Sequence, residues 1–193
     1  MTRRVQGFDF TGAVRRICAD MTARLPELQH IAVDRVAIGL RRARHREPHG
    51  VYATLTPLRF AEGREFETRR GRRYRIGPLV DAAGREYLYL LSFYVPRFLD
   101  LPLEGKLSTI VHELWHIGAR FDGDLRRHEG RCYAHGPSQR RYDAEMDRLT
   151  QRWLAADPPS HLYEFLACNH DELSAEHGGV RGDRWPTPRL APA

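Results

Sequence analysis

The chain has 193 residues, 41% hydrophobic and 29% charged, with 31 Lys plus Arg against 25 Asp plus Glu and a net charge of +6. That balance suits one globular domain with a buried core. It excludes a fibre, a repeat array, a membrane span and a wholly disordered protein, so we expect a cytoplasmic protein with no membrane partner. The three cysteines are too few and too widely spaced for a disulfide framework or a paired zinc ribbon.

The first half of the chain predicts one helix and then a series of strands. Apolar residues recur every three or four positions over residues 10–28, which is typical of an amphipathic helix, with Thr11 as its candidate N-cap. Strands are predicted at 31–40, 51–60, 65–68, 72–76 and 87–95. The Arg-Arg-Gly-Arg-Arg run at 69–73 predicts a basic hairpin tip. The aromatic strand 87–95 is expected to be mostly core, and it is also where an extended substrate could pair.

The second half of the chain changes to the helical period. A single apolar stripe over residues 102–121 predicts a buried helix, and a charged loop at 122–136 precedes a helix around Tyr142 and Trp153. A short helix is predicted at 161–173. Together these elements predict one α+β domain over residues 1–173 with an antiparallel or mixed sheet, followed by a loosely attached Gly/Pro-rich tail at 174–193.

The buried helix contains His112-Glu113-Leu114-Trp115-His116, an H-E-x-x-H motif. Residues four apart share a helix face, so both imidazoles can reach one metal ion. Glu113 lies about 100° around the helix from His112, which lets it act as a base beside the ion without ligating it. The motif therefore predicts a zinc site with two of its ligands and its catalytic base.

A catalytic zinc site usually has three protein ligands, so a third must follow downstream. Asp122 is six residues after His116, the spacing of one group of zinc proteases, but the glycine of that pattern is displaced to Gly118. His128 and Glu145 are further candidates. Cys132 could also reach a metal, although a structural thiol is more common. Asp122 and Asp124 are expected mainly to fix the loop.

The segment Ala134-His135-Gly136-Pro137 precedes the helix that contains Tyr142. With the H-E-x-x-H motif, it resembles the SprT-like zinc metallopeptidases, and the loop is similar to metallopeptidases of phage and bacterial genomes. The resemblance covers residues 100–155. It implies a small zincin-like domain and a zinc ion held by His112, His116 and His135. It also implies that Glu113 is the base for peptide hydrolysis.

The chain departs from that family where a cysteine zinc ribbon often follows, since Cys168 has no partner at ribbon spacing. A role in DNA repair is therefore not carried over. The donor to the tetrahedral oxyanion stays open among Tyr133, Tyr142 and an arginine of the loop.

A second hypothesis is a nucleic-acid-associated protein with a structural metal and no hydrolytic activity. Such a site would need four protein ligands, with Cys132 or Asp122 as the fourth. Arginines cluster at 41–46 and 69–73, and clustered arginine can contact phosphates. A G+C-rich coding bias explains the same clusters, because Lys106 is the only lysine. A hybrid, in which arginines bring a peptidase to DNA-bound proteins, is also open.

Overall fold

The structure, a computed structural model, describes residues 6–43, 50–127 and 139–193. In chain order the strands and α-helices are β1 (Phe8–Asp9), α1 (Phe10–Arg24), β2 (Val36–Arg42), β3 (Ala53–Pro57), β4 (Phe66–Arg69), β5 (Arg72–Ile76), β6 (Tyr89–Val95), α2 (Leu103–Trp115), α3 (Gln139–Ala155), α4 (His170–His177), β7 (Val180–Arg181) and β8 (Leu190–Pro192). This mixture of helices and sheets confirms the predicted α+β class.

The central sheet has the strand order β2-β6-β3, with β2 parallel and β3 antiparallel to β6. It is therefore a mixed sheet, one of the two arrangements predicted. Tyr89 and Phe93 of β6 are fully buried, as expected for core residues. Because β6 is paired on both sides, it cannot receive an added strand, and the prediction that a substrate pairs there is wrong. β3 is one of the two outer strands, and it tolerates Pro57 because a proline lacks only the N–H that would point away from the sheet.

The N-terminal helix is shorter than predicted and has a different cap. Asp9, not Thr11, is the N-cap, and its Oδ1 accepts a hydrogen bond from the Gly12 amide at 3.2 Å. A 3-10 turn at Val33–Arg35 then leads into β2. The irregular alternation in the sequence reflects this turn and the burial of β2 on both faces, not a bulge.

The helix that carries the histidines ends at Trp115, six residues earlier than predicted. After His116 the chain reverses: the Gly118 amide donates to the Asp124 carbonyl at 3.2 Å, and Ile117 forms a β-bridge with Leu125. The predicted apolar stripe is otherwise buried, and α3 packs against α2 through Tyr142, Met146, Leu149 and Trp153.

The segment from residue 174 onward is not a loosely attached tail. Strand β7 pairs with β1, and β8 pairs with β5. Trp185 packs against a second apolar cluster on the face of the central sheet opposite α1, and its Nε1 donates to the Ile38 carbonyl at 3.0 Å. One large apolar side chain and a few backbone hydrogen bonds thus hold a segment whose Gly/Pro-rich composition indicated little burial.

Candidate active site

The C-terminal half of α2 brings the two motif histidines together. Their Nε2 atoms are 3.0 Å apart, and their ring centroids are 4.7 Å apart. Both side chains are half-buried at the last turn of the helix. The imidazoles therefore converge on one point, as the spacing of four residues predicts.

That convergence fits a shared metal ion. Two nitrogens bound to one zinc at about 2.05 Å with a tetrahedral angle lie about 3.3 Å apart. The observed 3.0 Å between the Nε2 atoms of His112 and His116 is close to this separation. Neutral imidazole nitrogen is a common zinc ligand, so both the geometry and the chemistry of the donors suit zinc.

Glu113 points into the space between α2 and the central sheet and is 7% exposed. Burial raises the pKa of its carboxyl to about 7, against an ordinary value of 4.5. The backbone amide of Leu55 on β3 hydrogen-bonds the carboxylate and opposes that rise. A carboxyl with a pKa near neutrality can both accept and donate a proton, which is what a general base that later acts as an acid requires.

The outer edge of β3 lies beside this carboxyl. The Tyr94 amide donates to the Tyr52 carbonyl, and the Leu58 amide donates to the Leu88 carbonyl. The backbone groups of even-numbered residues along β3 therefore hydrogen-bond to β6. The amides of Ala53 and Leu55 therefore face outward. A cleft of about 230 Å³ separates this edge from α2, and it is lined by Gly50, Val51, Tyr52, Ala53, Ser108, Thr109, His112 and Glu113.

Tyr142 of α3 covers the other side of the histidines. Its ring centroid lies 5.0 Å from that of His112 and 6.0 Å from that of His116, and it stacks on the latter. Burial, followed by the nearby charge of Glu113, raises the pKa of the Tyr142 hydroxyl. The hydroxyl thus stays protonated and can donate a hydrogen bond. Of the candidate oxyanion donors, Tyr142 lies at the site, whereas Tyr133 lies outside the described residues.

Arg126 is a neighbour of the site that the motif did not single out. Its backbone amide donates to the His116 carbonyl at 2.7 Å, and its guanidinium lies 4.1 Å from the centroid of the Trp115 ring. Half-burial lowers the pKa of this guanidinium. The only signal in the sequence was an aromatic residue between the two histidines, which offers a cation a ring face.

The candidates for the third ligand separate into two groups. His135, the predicted ligand, lies outside the described residues, as do His128 and Cys132. Asp122 and Glu145 are described, and neither joins the histidine pair. The Asp122 carboxylate lies 3.0 Å from Arg120 Nε, and Glu145 pairs with Arg148. Within residues 6–43, 50–127 and 139–193, no three His, Cys, Asp or Glu side chains are grouped to hold a metal.

The loop after α2 is fixed by Asp124, as expected from the sequence. Its carboxylate accepts hydrogen bonds from the amides of Glu62 and Leu125 at 2.9 and 2.8 Å, and from Arg127 Nη2 at 3.0 Å. These donors hold the pKa of Asp124 below its ordinary value despite burial. Its role is therefore structural.

Comparisons of the chain with family models, with curated proteins and with solved structures find no match. None of the helices in the described part of the chain combines the length and the apolar content needed to cross a bilayer. The geometry of the site must therefore support any function proposed for it.

Proposed function

We propose that the chain is a zinc-dependent peptidase in which His112, His116 and His135 hold the metal and Glu113 is the general base. The observation that carries this proposal is the arrangement at the end of α2. Two imidazole Nε2 atoms lie 3.0 Å apart, and the adjacent carboxyl is buried against the outer strand. A surface histidine pair would need no buried glutamate beside it.

The flanks of the segment that contains His135 support its role as the third ligand. Before that segment, the Arg126 amide hydrogen-bonds the His116 carbonyl, and after it, the Tyr142 ring packs on His112. His135 is only four residues before the start of α3. Four residues span at most about 14 Å, and Tyr142, one turn into α3, already lies against the histidine pair.

A bound zinc ion supplies Lewis acidity, which lowers the pKa of water and polarises a peptide carbonyl. Residues of the chain transfer the proton, bind the substrate and stabilise the oxyanion. The Glu113 carboxylate takes the proton of the attacking water and delivers it to the leaving amine. The outward amide of Ala53 can hydrogen-bond an extended substrate backbone, and the Tyr142 hydroxyl donates to the developing oxyanion.

The test replaces Glu113 by Gln in the full-length, zinc-loaded chain. Hydrolysis of a peptide library, followed by mass spectrometry, should fall by about 1000-fold or more, because the base is lost. Zinc content should remain near one equivalent. Glu145→Gln is the matched control, because Glu145 pairs with Arg148 away from the histidines. Undiminished cleavage by the Glu113 variant, or no cleavage by the zinc-loaded parent, would reject the proposal.

A second candidate is the nucleic-acid-associated protein with a structural metal. It is favoured by the β4–β5 hairpin, whose tip exposes Arg69, Arg70, Arg72 and Arg73, as predicted. Gly71 and Arg70 adopt positive φ angles of 73° and 48°, which suit the tight turn. Salt-dependent DNA binding by a zinc-loaded chain that cuts no peptide would select this candidate.

A further inference from the structure

A groove rich in arginine lies next to the candidate cleft. It has a volume of about 620 Å³ and is lined by Leu40, Arg41, Arg42, Ala43, Val51, Tyr94, Arg97, Arg184 and Trp185. Four of these residues are arginines, and none of the described lining residues is acidic. Arg42 and Arg184 are exposed to solvent. The groove is therefore a concentrated positive site, and it attracts anionic groups.

Neutral oxygen atoms accept hydrogen bonds from two of the groove arginines, Arg41 and Arg97. Arg41 Nε donates to Ser92 Oγ at 3.2 Å, and Arg41 Nη1 donates to Thr187 Oγ1 at 3.1 Å. Arg97 Nη1 donates to the Val51 carbonyl at 3.0 Å. Hydroxyl oxygens hold the Arg41 guanidinium in place without cancelling its charge. Arg41 is thus positioned in advance for a carboxylate, which a guanidinium can bind through two parallel hydrogen bonds.

Val51 lines both the groove and the candidate cleft, so the two spaces adjoin at this residue. The Glu113 carboxyl is hydrogen-bonded at Leu55 of β3, four residues along the chain from Val51, which precedes β3. At about 3.3 Å per residue, a peptide extended along this edge travels about 13 Å between the two points. A substrate side chain about four residues from the scissile bond would therefore reach the arginines.

The shape of the groove favours a peptide over a nucleic acid. Its volume is that of a site for a small group, whereas an oligonucleotide covers a much larger surface. Trp185 forms a wall rather than a stacking platform. Its indole N–H is bonded to the Ile38 carbonyl, and its ring meets Tyr87 edge to face with centroids 5.3 Å apart.

We propose that this groove binds glutamate and aspartate side chains, and that the substrates are acidic peptides whose carboxylates lie about four residues from the scissile bond. The cleavage part rests on the proposed peptidase function. The binding part does not, since it needs only the arginines.

Binding is tested with the full-length, zinc-loaded Glu113→Gln variant, which should hold a peptide without cutting it. Two fluorescein-labelled ten-residue peptides are compared by anisotropy. In one, four consecutive glutamates are the only charged residues, and in the other, four glutamines replace them. At 50 mM NaCl the glutamate peptide should bind at least tenfold more tightly. At 500 mM NaCl the difference should shrink to about twofold or less, because salt screens exposed charges. Equal affinity for the two peptides at low salt overturns the proposal.

Adding Arg41→Gln and Arg184→Gln to that variant should abolish the preference for glutamate. The matched control is Arg70→Gln with Arg72→Gln at the hairpin tip, which removes the same charge outside the groove and should keep the preference. Circular dichroism and thermal unfolding establish that each variant is folded. If the groove variant and the hairpin control lose the preference for glutamate to the same extent, net charge and not the groove attracts the peptide. That result would overturn the proposal.

Two further measurements separate the rival outcomes. The first is binding of a twelve-nucleotide single-stranded DNA. If this DNA binds more tightly than the glutamate peptide, and the groove substitutions weaken its binding while the hairpin substitutions do not, the groove binds nucleic acid instead. In a cleavage assay with zinc-loaded parent protein, hydrolysis without any acidic preference rejects this inference and keeps the peptidase. Groove-dependent glutamate binding without hydrolysis rejects the peptidase and keeps the anionic site.

Discussion

The candidate cleft and the arginine groove share Val51 but are built in opposite ways. At the cleft, His112 and Glu113 lie in the last turn of one helix, and His116 is its C-cap. The arginines of the groove come from β2, from the turn after β6 and from the C-terminal segment. A set of residues on one helix is visible in the sequence because its geometry is local. A set gathered from three parts of the chain exists only after folding.

The two regions also differ in how far their charged groups are exposed to solvent. The cleft buries a carboxyl and raises its pKa to about 7, whereas the groove leaves Arg42 and Arg184 exposed to water. Substitutions in the cleft should therefore have large effects that depend weakly on salt, and substitutions in the groove should have smaller effects that depend strongly on salt. The following predictions test that contrast, from the largest expected effect to the smallest.

The largest effect is expected at the proposed metal ligands. His116→Ala and His135→Ala should each lower zinc affinity by more than about 100-fold, because loss of a ligand exceeds the effect of losing an outer-shell partner. Competition with a chromogenic chelator measures this affinity. Asp122→Asn is the control, since its carboxylate pairs with Arg120 and should leave zinc affinity unchanged. A full-affinity His135 variant together with a weakened Asp122 variant would move the third ligand to Asp122.

The buried carboxyl should make the stability of the metal-free protein depend on pH. The Glu113 pKa is raised by burial from 4.5 to about 7, so the carboxyl contributes no penalty below pH 4.5, where it is protonated in both states. Between about pH 4.5 and 7 the unfolded state is ionised while the folded state stays protonated, so the free energy of unfolding falls by about 3 kcal/mol and stays at that lower level above pH 7. Urea unfolding in chelator at pH 5 and pH 8 measures this loss.

Glu113→Gln provides the control for that pH dependence, because an amide does not titrate. The variant should lose less free energy of unfolding between pH 5 and pH 8 than the parent, by about 2 to 3 kcal/mol. An identical pH profile for parent and variant would show that the carboxyl is solvated in the folded protein.

Tyr142 is expected to act on the rate rather than on binding. Tyr142→Phe should lower kcat by about 100-fold with KM nearly unchanged, because it removes a hydrogen-bond donor used only in the transition state. Zinc content should stay the same, since the ring on His112 and His116 is retained. A variant with normal kcat would assign oxyanion stabilisation elsewhere, with Arg126 as the next candidate.

The smallest effect should come from the wall of the groove. Trp185→Ala should lower the free energy of unfolding by about 2 kcal/mol, since the half-buried ring covers the second apolar cluster. Trp185→Phe keeps most of the ring and should cost about 1 kcal/mol for the lost hydrogen bond to Ile38. Denaturant unfolding compares the two. Unchanged stability in the alanine variant would restore the prediction of a loosely attached tail.

Local patterns predicted much of this molecule correctly. The spacing of apolar residues predicted α1, α2 and α3. Turn residues predicted the β4–β5 hairpin, and a run of aromatic residues predicted β6. Errors arose where partners distant in sequence decide the outcome. Pairing of β6 on both sides removed it as a substrate strand, and pairing of β7 and β8 anchored the C-terminal segment. No local period carries that information.

The sequence by itself determined that His112 and His116 face one point, because a helix repeats its faces every 3.6 residues whatever surrounds it. Tertiary structure alone decided that Glu113 is buried against Leu55, that Tyr142 covers the histidines, and that arginines from three segments line one groove. Burial and the meeting of distant segments depend on how sheet and helices pack, and packing is a property of the whole chain.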